Sequence, residues 1–229
     1  MRALQAIIFD FDGVIANSEP LHLRAFQDVL EARGLTLTTA EYFERYLGYD
    51  DAGVFTHLFD DRSLPLDVDT AERLIVDKEA RMHALMHGGS VLYPGAEAFI
   101  RSCVGRIPVA IASGAARHEI VEILQGAGLT DAFPIIVAAG DTPEGKPSPQ
   151  PYLRAFELLQ ASGAGVREAA RCVAIEDSHW GLASARGAGL RRVGVTTSYG
   201  AESLPDAELV AGGLGDLTLD LLDELAARP

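Results

Sequence analysis

The sequence predicts an α/β protein: a doubly wound parallel sheet with an all-helical segment inserted after the first strand. Two observations lead to this prediction. From residue 95 onward, short apolar stretches typical of strands alternate with stretches typical of helices, which indicates parallel strands with helices on both faces. Residues 20–87, in contrast, show helical spacing throughout and no strong strand candidate.

The first strand is predicted within residues 1–10, which contain a short apolar run. A helix then begins near Pro20 and ends at Gly34, because proline suits a first helical turn and glycine suits a helix end. A second stripe of apolar side chains at helical spacing covers residues 71–85. We therefore expect a core of residues 1–16 and 89–229 and a helical insertion of residues 17–88.

The alternating part predicts four further helix–strand pairs. Its strands are short and apolar, as is typical of a parallel sheet that is buried on both faces. The predicted helices span residues 96–103, 116–126, 150–161 and 180–187, and the predicted strands span residues 107–111, 135–137, 172–175 and 192–195.

The composition argues against several classes of function. The 229 residues carry a formal net charge of −14, whereas a protein that binds nucleic acid through a basic face needs clustered Lys and Arg. No apolar run approaches the length of a transmembrane helix, and the first residues lack the hydrophobic stretch of a signal peptide. We therefore expect a cytoplasmic protein that binds neither nucleic acid nor a membrane.

Polar residues follow four of the predicted strands at the point where each strand ends. Taken singly, each group has an ordinary structural explanation, such as a helix cap, a turn or an exposed lysine. In open α/β sheets, however, ligands bind beyond the carboxyl ends of the strands, so the common placement favours one functional site. The residues are Asp10 and Asp12 after the first strand, Ser113 and Gly114 after the second, Lys146 after the third, and Glu176 and Asp177 after the fourth.

Asp10 and Asp12 are two residues apart, and in an extended chain such side chains point to the same side. Two carboxylates held close together repel each other, which raises a pKa unless something neutralises them. A divalent cation would do so, and so would a proton on one of the two acids. The first solution makes a metal site and the second makes an acid–base pair, and phosphoryl transfer can use both.

Four stretches of the sequence, taken together, resemble the haloacid dehalogenase superfamily of phosphohydrolases. The resemblance covers nearly the whole chain and is closest to the branch with a helical cap after the first motif, which includes β-phosphoglucomutase and phosphoglycolate-phosphatase-like enzymes. The stretches are Phe9-Asp10-Phe11-Asp12-Gly13-Val14, Ile111-Ala112-Ser113-Gly114, Gly145-Lys146-Pro147-Ser148-Pro149, and Ile175-Glu176-Asp177-Ser178 with Gly181.

The resemblance implies a role for each of these residues. Asp10 would be the nucleophile that forms an aspartyl-phosphate, and Asp12 would protonate the leaving oxygen and then deprotonate the attacking water. Ser113 and the backbone N–H of Gly114 would grip the phosphate of a small phosphorylated metabolite. Lys146 would neutralise charge on the nucleophile and on the phosphoryl oxygens.

The resemblance also implies a Mg²⁺ site made of hard oxygen ligands. The carboxylates of Asp10 and Asp177 and the backbone carbonyl of Asp12 would bind the ion. Glu176 would either bind it directly or support the residues that do.

The resemblance further implies that the helical insertion closes over the site as a cap. Ser18 would lie in the hinge, and His22 and Lys78 would lie where cap residues approach the substrate. Arg117 would help to bind the phosphate or the rest of the substrate. For each residue the alternative is purely structural: a polar hinge residue for Ser18, and exposed helix side chains for the others.

The choice of reaction depends on two positions. The haloacid dehalogenases that resemble this chain lack an acid at the position of Asp12, so its presence favours phosphate esters. Phosphomutases of the capped branch carry an arginine after the glycine of the first cap loop, where this chain reads Leu47-Gly48-Tyr49-Asp50-Asp51. Because this acidic pair would repel a second phosphate, hydrolysis is favoured. A phosphomutase and a regulator that only binds a phosphorylated ligand remain as alternatives.

Overall fold

The computed structural model describes residues 2–47, 49–86 and 91–228. It divides into two compact units, which we call the core unit (Met1–Asn17 and Val91–Pro229) and the inserted unit (Ser18–Ser90). The second boundary expected from the sequence, between residues 88 and 89, lies outside the described residues, as does Gly48.

Within the described residues, the core unit contains one sheet of six parallel strands, which confirms the predicted fold class. Their order across the sheet is β3-β2-β1-β4-β5-β6, so the first strand of the chain lies in the middle. The strands are β1 (Ala6–Phe9), β2 (Val109–Ala112), β3 (Ile136–Val137), β4 (Cys172–Glu176), β5 (Arg191–Val195) and β6 (Leu209–Ala211).

Helices make up the inserted unit and flank the strands of the core unit along the chain. Among the helices of the described residues, none is both long and apolar enough to cross a membrane. The inserted unit contains α1 (Glu19–Glu31), α2 (Thr39–Glu41), α3 (Asp51–Asp61) and α4 (Val68–Met86), and a π-helical turn, Tyr42–Tyr46, follows α2. The core unit contains α5 (Ala96–Cys103), α6 (Arg117–Gly126), α7 (Gln150–Ala161), α8 (His179–Gly187) and α9 (Leu219–Ala226).

The last strand and the last helix, β6 and α9, were not among the predicted elements. β6 is a three-residue strand at the edge of the sheet, and its residues are partly or fully exposed, so it lacks the continuous apolar run of an inner strand. The inner strands β1, β2 and β4 are buried along their whole length and are the ones that hydropathy identifies.

Each unit has its own apolar core. In the core unit, Ile8, Ala110 and Ala174 from three neighbouring strands pack against Tyr152 and Leu159 of α7. The core of the inserted unit is aromatic in part, with side chains from α1, the π-helical turn, α3 and α4 packed together. These are Phe26, Tyr42, Tyr46, Phe55, Leu58 and Leu74, with further apolar neighbours.

The chain leaves and re-enters the core unit at neighbouring points. Ala16 pairs with Leu92 in an antiparallel bridge, and the N–H of Asn17 donates to the carbonyl of Val91 at 2.8 Å. The two passages of chain that flank the insertion are therefore held side by side by backbone hydrogen bonds.

Candidate active site

Three buried carboxylates meet at the carboxyl ends of β1 and β4. Asp10 follows β1, Glu176 is the last residue of β4, and Asp177 comes next. β1 and β4 are neighbours in the sheet, and the N–H of Asp10 donates to the carbonyl of Ile175 at 2.9 Å. One oxygen from each of the three carboxylates lies within 4.8 Å of the other two.

Lys146 supplies a cation to this cluster. Its Nζ lies 2.9 Å from Asp10 Oδ1 and 2.5 Å from Glu176 Oε1, and its side chain is only 12% exposed. Burial alone would lower the pKa of Lys146, but the carboxylates of Asp10 and Glu176 outweigh burial and raise this pKa above its ordinary value. Lys146 therefore stays protonated and bridges two strand ends.

One lysine does not neutralise three acids. Burial, followed by repulsion from Glu176, raises the pKa of Asp10 well above its ordinary value and raises the pKa of Asp177 to about 6. The three carboxylates offer oxygen atoms as ligands, and hard divalent cations prefer oxygen ligands. The donor set and the excess negative charge thus fit a divalent cation.

Two glycines leave room for the carboxylates. Gly13 has a φ of +77°, and a Cβ added there would lie 1.8 Å from Asp177 Oδ2. A Cβ added to Gly181, in the first turn of α8, would lie 1.9 Å from Glu176 Oε1. Only glycine fits at either position while the carboxylates stay in place.

Glu176 is surrounded by donors. Its Oε1 accepts hydrogen bonds from Lys146 and from the hydroxyl of Tyr152, the latter at 2.9 Å. Its Oε2 accepts from the backbone N–H of Asp177 at 3.2 Å and from both the N–H and the hydroxyl of Ser178 at 3.3 and 3.2 Å. The carboxylate is fully buried, and these hydrogen bonds hold it in place beside Lys146.

Asp12 lies in a tight turn directly after Asp10. The carbonyl of Phe11 accepts from the N–H groups of Ile15 and Ala16 at 2.8 and 2.9 Å, and the N–H of Gly13 donates to the carbonyl of Ala16 at 3.0 Å. Asp12 is half-buried in this turn, whereas Asp10 is buried. The two acids that share one sequence motif therefore have different environments.

Ser113 lies at the same edge of the sheet. β2 neighbours β1, with Ile111 opposite Phe9, so Ser113 and Asp10 both follow their strands at this end. Ser113 is buried, and its hydroxyl accepts from the N–H of Ala115 at 3.0 Å. Gly114 follows in the loop that leads to α6.

The remaining residues singled out from the sequence lie in other contacts. Arg117 forms an ion pair with Asp141 and donates to the carbonyl of Ile136 at 2.8 Å. Within the inserted unit, Ser18 is buried directly before α1.

Lys78 is buried inside the inserted unit and is only 1% exposed. Its Nζ lies 2.7 Å from His22 Nδ1 and 2.8 Å from Asp51 Oδ1. Burial, followed by the charge of Lys78, lowers the pKa of His22 to about 3. The structural alternative of an exposed helix charge therefore does not describe Lys78, which belongs to a hydrogen-bonded cluster.

The sequence reasoning missed two groups that contact the cluster. Tyr152 looks like an ordinary core residue of α7, because its position in the apolar stripe gives no sign of its hydroxyl bond to Glu176. The hydroxyl of Ser198 bonds to Asp177, and Thr197 donates to the carbonyl of Gly13. Ser198 could have been found, because it follows β5 at the same edge of the sheet as the other strand-end residues.

The chain is similar in sequence and in fold to known proteins. Residues 4–189 match the family model of the haloacid dehalogenase-like hydrolases. Protein CbbY of Rhodobacter capsulatus is 33% identical over 205 residues, which cover 86% of this chain and 87% of CbbY. Phosphoglycolate phosphatase of Neisseria meningitidis is 33% identical over 203 residues, which cover 86% of this chain and 82% of that enzyme. The crystal structure of CbbY from Rhodobacter sphaeroides in complex with xylulose-(1,5)bisphosphate has a TM-score of 0.81 and 27% identity, and covers 96% of this chain and 99% of that chain.

Proposed function

The chain belongs to the haloacid dehalogenase-like hydrolases, and we propose that it is a Mg²⁺-dependent phosphatase that cleaves a small phosphate monoester through an aspartyl-phosphate. The observation that carries this proposal is the position of Lys146, 2.9 Å from Asp10 at the edge of the sheet where Glu176 and Asp177 also lie. A carboxylate with an adjacent fixed cation suits attack on a charged phosphoryl group, because that reaction depends mainly on positioning and electrostatics.

In the first half of the reaction, a carboxylate oxygen of Asp10 attacks phosphorus while the bond to the ester oxygen breaks. Asp12 gives its proton to that leaving oxygen. In the second half, Asp12 takes a proton from water as the water attacks phosphorus, which releases inorganic phosphate and restores Asp10. The half-buried position of Asp12 beside the buried Asp10 supports this division of labour.

Three groups hold the phosphoryl oxygens in this scheme. Lys146 offsets their negative charge, and the Ser113 hydroxyl and the Gly114 N–H donate to them. Since Ser113 and Asp10 follow neighbouring strands, a phosphate at Asp10 lies within the same strand-end region as these donors.

The carboxylates of Asp10 and Asp177 and the backbone carbonyl of Asp12 would hold the Mg²⁺. When bound, the ion supplies positive charge that the cluster lacks and that the phosphoryl group requires. Glu176 supports this site through Lys146, since its two oxygens already accept five hydrogen bonds from protein groups.

The inserted unit is proposed as the cap that selects the leaving group, with Ser18 in its hinge and with His22, Lys78 and, from the core unit, Arg117 contributing to substrate binding. The names of the relatives support a small phosphorylated metabolite as the substrate. Asp50 and Asp51, at the start of α3, carry negative charge that would repel a second phosphate at the cap. This acidic pair favours hydrolysis over phosphomutase chemistry.

A phosphate-release assay on a panel of sugar phosphates and short carboxylic-acid phosphates tests the proposal. We expect turnover with MgCl₂, loss of turnover with a chelator, and no turnover in the Asp10→Asn and Asp12→Ala variants. Substantial activity of Asp10→Asn on p-nitrophenyl phosphate would rule out the covalent mechanism. Formation of an isomeric hexose phosphate instead of free phosphate would show a phosphomutase.

A further inference from the structure

Tyr152 is a buried tyrosine whose single polar side-chain atom reaches the cluster of Asp10, Glu176, Asp177 and Lys146. It lies in the first turn of α7, and its ring packs in the apolar core of the core unit with residues such as Ile8 and Ala174. Its hydroxyl donates to Glu176 Oε1 at 2.9 Å. A phenylalanine would fill the same space, so packing alone does not require the hydroxyl.

The same oxygen of Glu176 also accepts from Lys146. The ammonium of Lys146 is thus shared between Glu176 at 2.5 Å and Asp10 at 2.9 Å. The ring of Tyr152 faces this ammonium, with Nζ 5.0 Å from the ring centroid, a distance at which a cation and an aromatic ring attract. Tyr152 therefore contacts both members of the Lys146–Glu176 pair.

We propose that Tyr152 is a positioning residue that controls how Lys146 is shared between Glu176 and Asp10. Its hydroxyl occupies part of the acceptor capacity of Glu176 Oε1 and so weakens the hold of Glu176 on the ammonium. Its ring, facing the ammonium, restricts where Lys146 can move. Together these contacts keep Lys146 available to Asp10 and to the phosphoryl oxygens. This role of Tyr152 rests on the proposed phosphatase function.

Removing the hydroxyl gives a definite expectation. In a Tyr152→Phe variant, Lys146 is the one side-chain donor to Glu176 Oε1 that remains among the described residues, so the ammonium shifts towards Glu176 and away from Asp10. Charge-assisted hydrogen bonds are about twice as strong as neutral ones, so the loss of Lys146 from Asp10 should be measurable in turnover. We expect kcat to fall about 10-fold and the affinity for inorganic phosphate to fall about threefold, with little change in KM for Mg²⁺.

The chain offers a matched control in Tyr46. This tyrosine is also buried, and its hydroxyl also donates to a carboxylate at 2.9 Å, that of Asp61, but it lies in the inserted unit, remote in sequence from every residue of the cluster. The Tyr46→Phe variant should lose thermal stability as Tyr152→Phe does, while its kcat stays within twofold of the unchanged protein.

A double-mutant cycle with Lys146→Met separates positioning from general stabilisation. If Tyr152 acts through Lys146, Tyr152→Phe causes no further fall in kcat or in phosphate affinity when Lys146 is already methionine. Phosphate affinity is measured by isothermal titration calorimetry with inorganic phosphate and MgCl₂, so the cycle does not require turnover. Circular dichroism and thermal unfolding check that each variant folds.

Two results would overturn the proposal. One is a Tyr152→Phe variant that loses stability but keeps its kcat and phosphate affinity, as Tyr46→Phe is expected to do. The other is an equal fold-loss on both Lys146 backgrounds. If the unchanged protein releases phosphate from no substrate, the proposed function fails, and the phosphate-binding cycle alone decides the role of Tyr152.

Discussion

Lys146 and Asp10 form a buried ion pair of 2.9 Å, although they are 136 positions apart in the sequence and come from loops that follow different strands. Lys146 is one of two lysines in the chain; the other, Lys78, is also buried in an ion pair. Each lysine side chain is thus paired with a carboxylate, and the other side chains in the chain's Lys and Arg total are all arginine.

Lys146→Met should lower activity by 10²–10³-fold, roughly the loss seen when one donor to a developing charge is removed. It should also destabilise the metal-free protein by roughly 3–5 kcal/mol, because Asp10 and Glu176 lose the cation between them. Steady-state kinetics and thermal unfolding with and without MgCl₂ measure both effects. A Lys146→Met variant with normal kcat would exclude Lys146 from the reaction.

Gly13→Ala should abolish activity by displacing Asp177. Gly140→Ala is its control, because Gly140 also has a positive φ, +84°, but no atom of the described residues lies within 4 Å of an added Cβ. Both variants strain the backbone by roughly 1–2 kcal/mol. Gly13→Ala should in addition weaken Mg²⁺ binding at least 10-fold in a calorimetric titration, and equal Mg²⁺ affinities in the two variants would contradict the assignment of Asp177.

Gly181→Ala should lower kcat by at least 10-fold, because the new methyl group would occupy the space of the Glu176 carboxylate. Gly126→Ala, at the end of α6, is the matched helical substitution, since the described residues leave the added Cβ without neighbours within 4 Å. Gly126→Ala should keep full activity and gain up to about 1 kcal/mol of stability. The kinetics of the two variants, measured side by side, decide whether Glu176 must hold its position.

The apparent affinity for Mg²⁺ should fall as the pH drops below about 6. The pKa of Asp177 is raised to about 6 by burial and by Glu176, so below that pH a proton occupies the carboxylate that is proposed to bind Mg²⁺. Displacement of one proton gives about a tenfold loss of affinity per pH unit. Calorimetric titrations from pH 5 to pH 8 measure this slope, and an affinity independent of pH would show that Asp177 does not take part.

His22 should make the protein less stable in mild acid. Its pKa is lowered to about 3 by burial and by Lys78, against an ordinary value of 6.5, so between these values the unfolded chain binds a proton that the folded chain excludes. The free energy of unfolding should therefore fall by about 2 kcal/mol between pH 7 and pH 5 from this group alone. His22→Gln removes the titration, and urea unfolding of both proteins at the two pH values should show a smaller fall in the variant.

The meeting of Asp10, Glu176 and Asp177 was predictable from the sequence because strand ends are predictable. One apolar run is followed by Asp10, and another is followed by Glu176 and Asp177. Any parallel sheet that brings these two strands together places the acids at one edge. The fold class was predictable for the same reason, and the six parallel strands confirm it. The short edge strand β6 gave no such run and was missed.

Contacts that depend on three-dimensional packing were not predictable in this way. For Lys78 the sequence leaves open a substrate contact or an exposed helix charge, because it does not show that α1 and α3 bring His22 and Asp51 to its side chain. Tyr152 resembles an ordinary buried aromatic residue, because its ring does pack in the apolar core. In both cases the contact that the prediction lacked joins residues that are distant in the sequence. No local sequence pattern identifies the partner of such a contact.

The bridge between Ala16 and Leu92 joins the two passages of chain that flank the inserted unit. The two passages are tied together, and the entropic cost of closing the chain around the insertion rises only logarithmically with the length of the insertion. A longer, shorter or unrelated insertion can therefore be spliced in between these passages while the register of β1 against β2 and β4 stays the same. We therefore expect that the 73-residue insertion can be exchanged while Asp10 keeps its place at the end of β1.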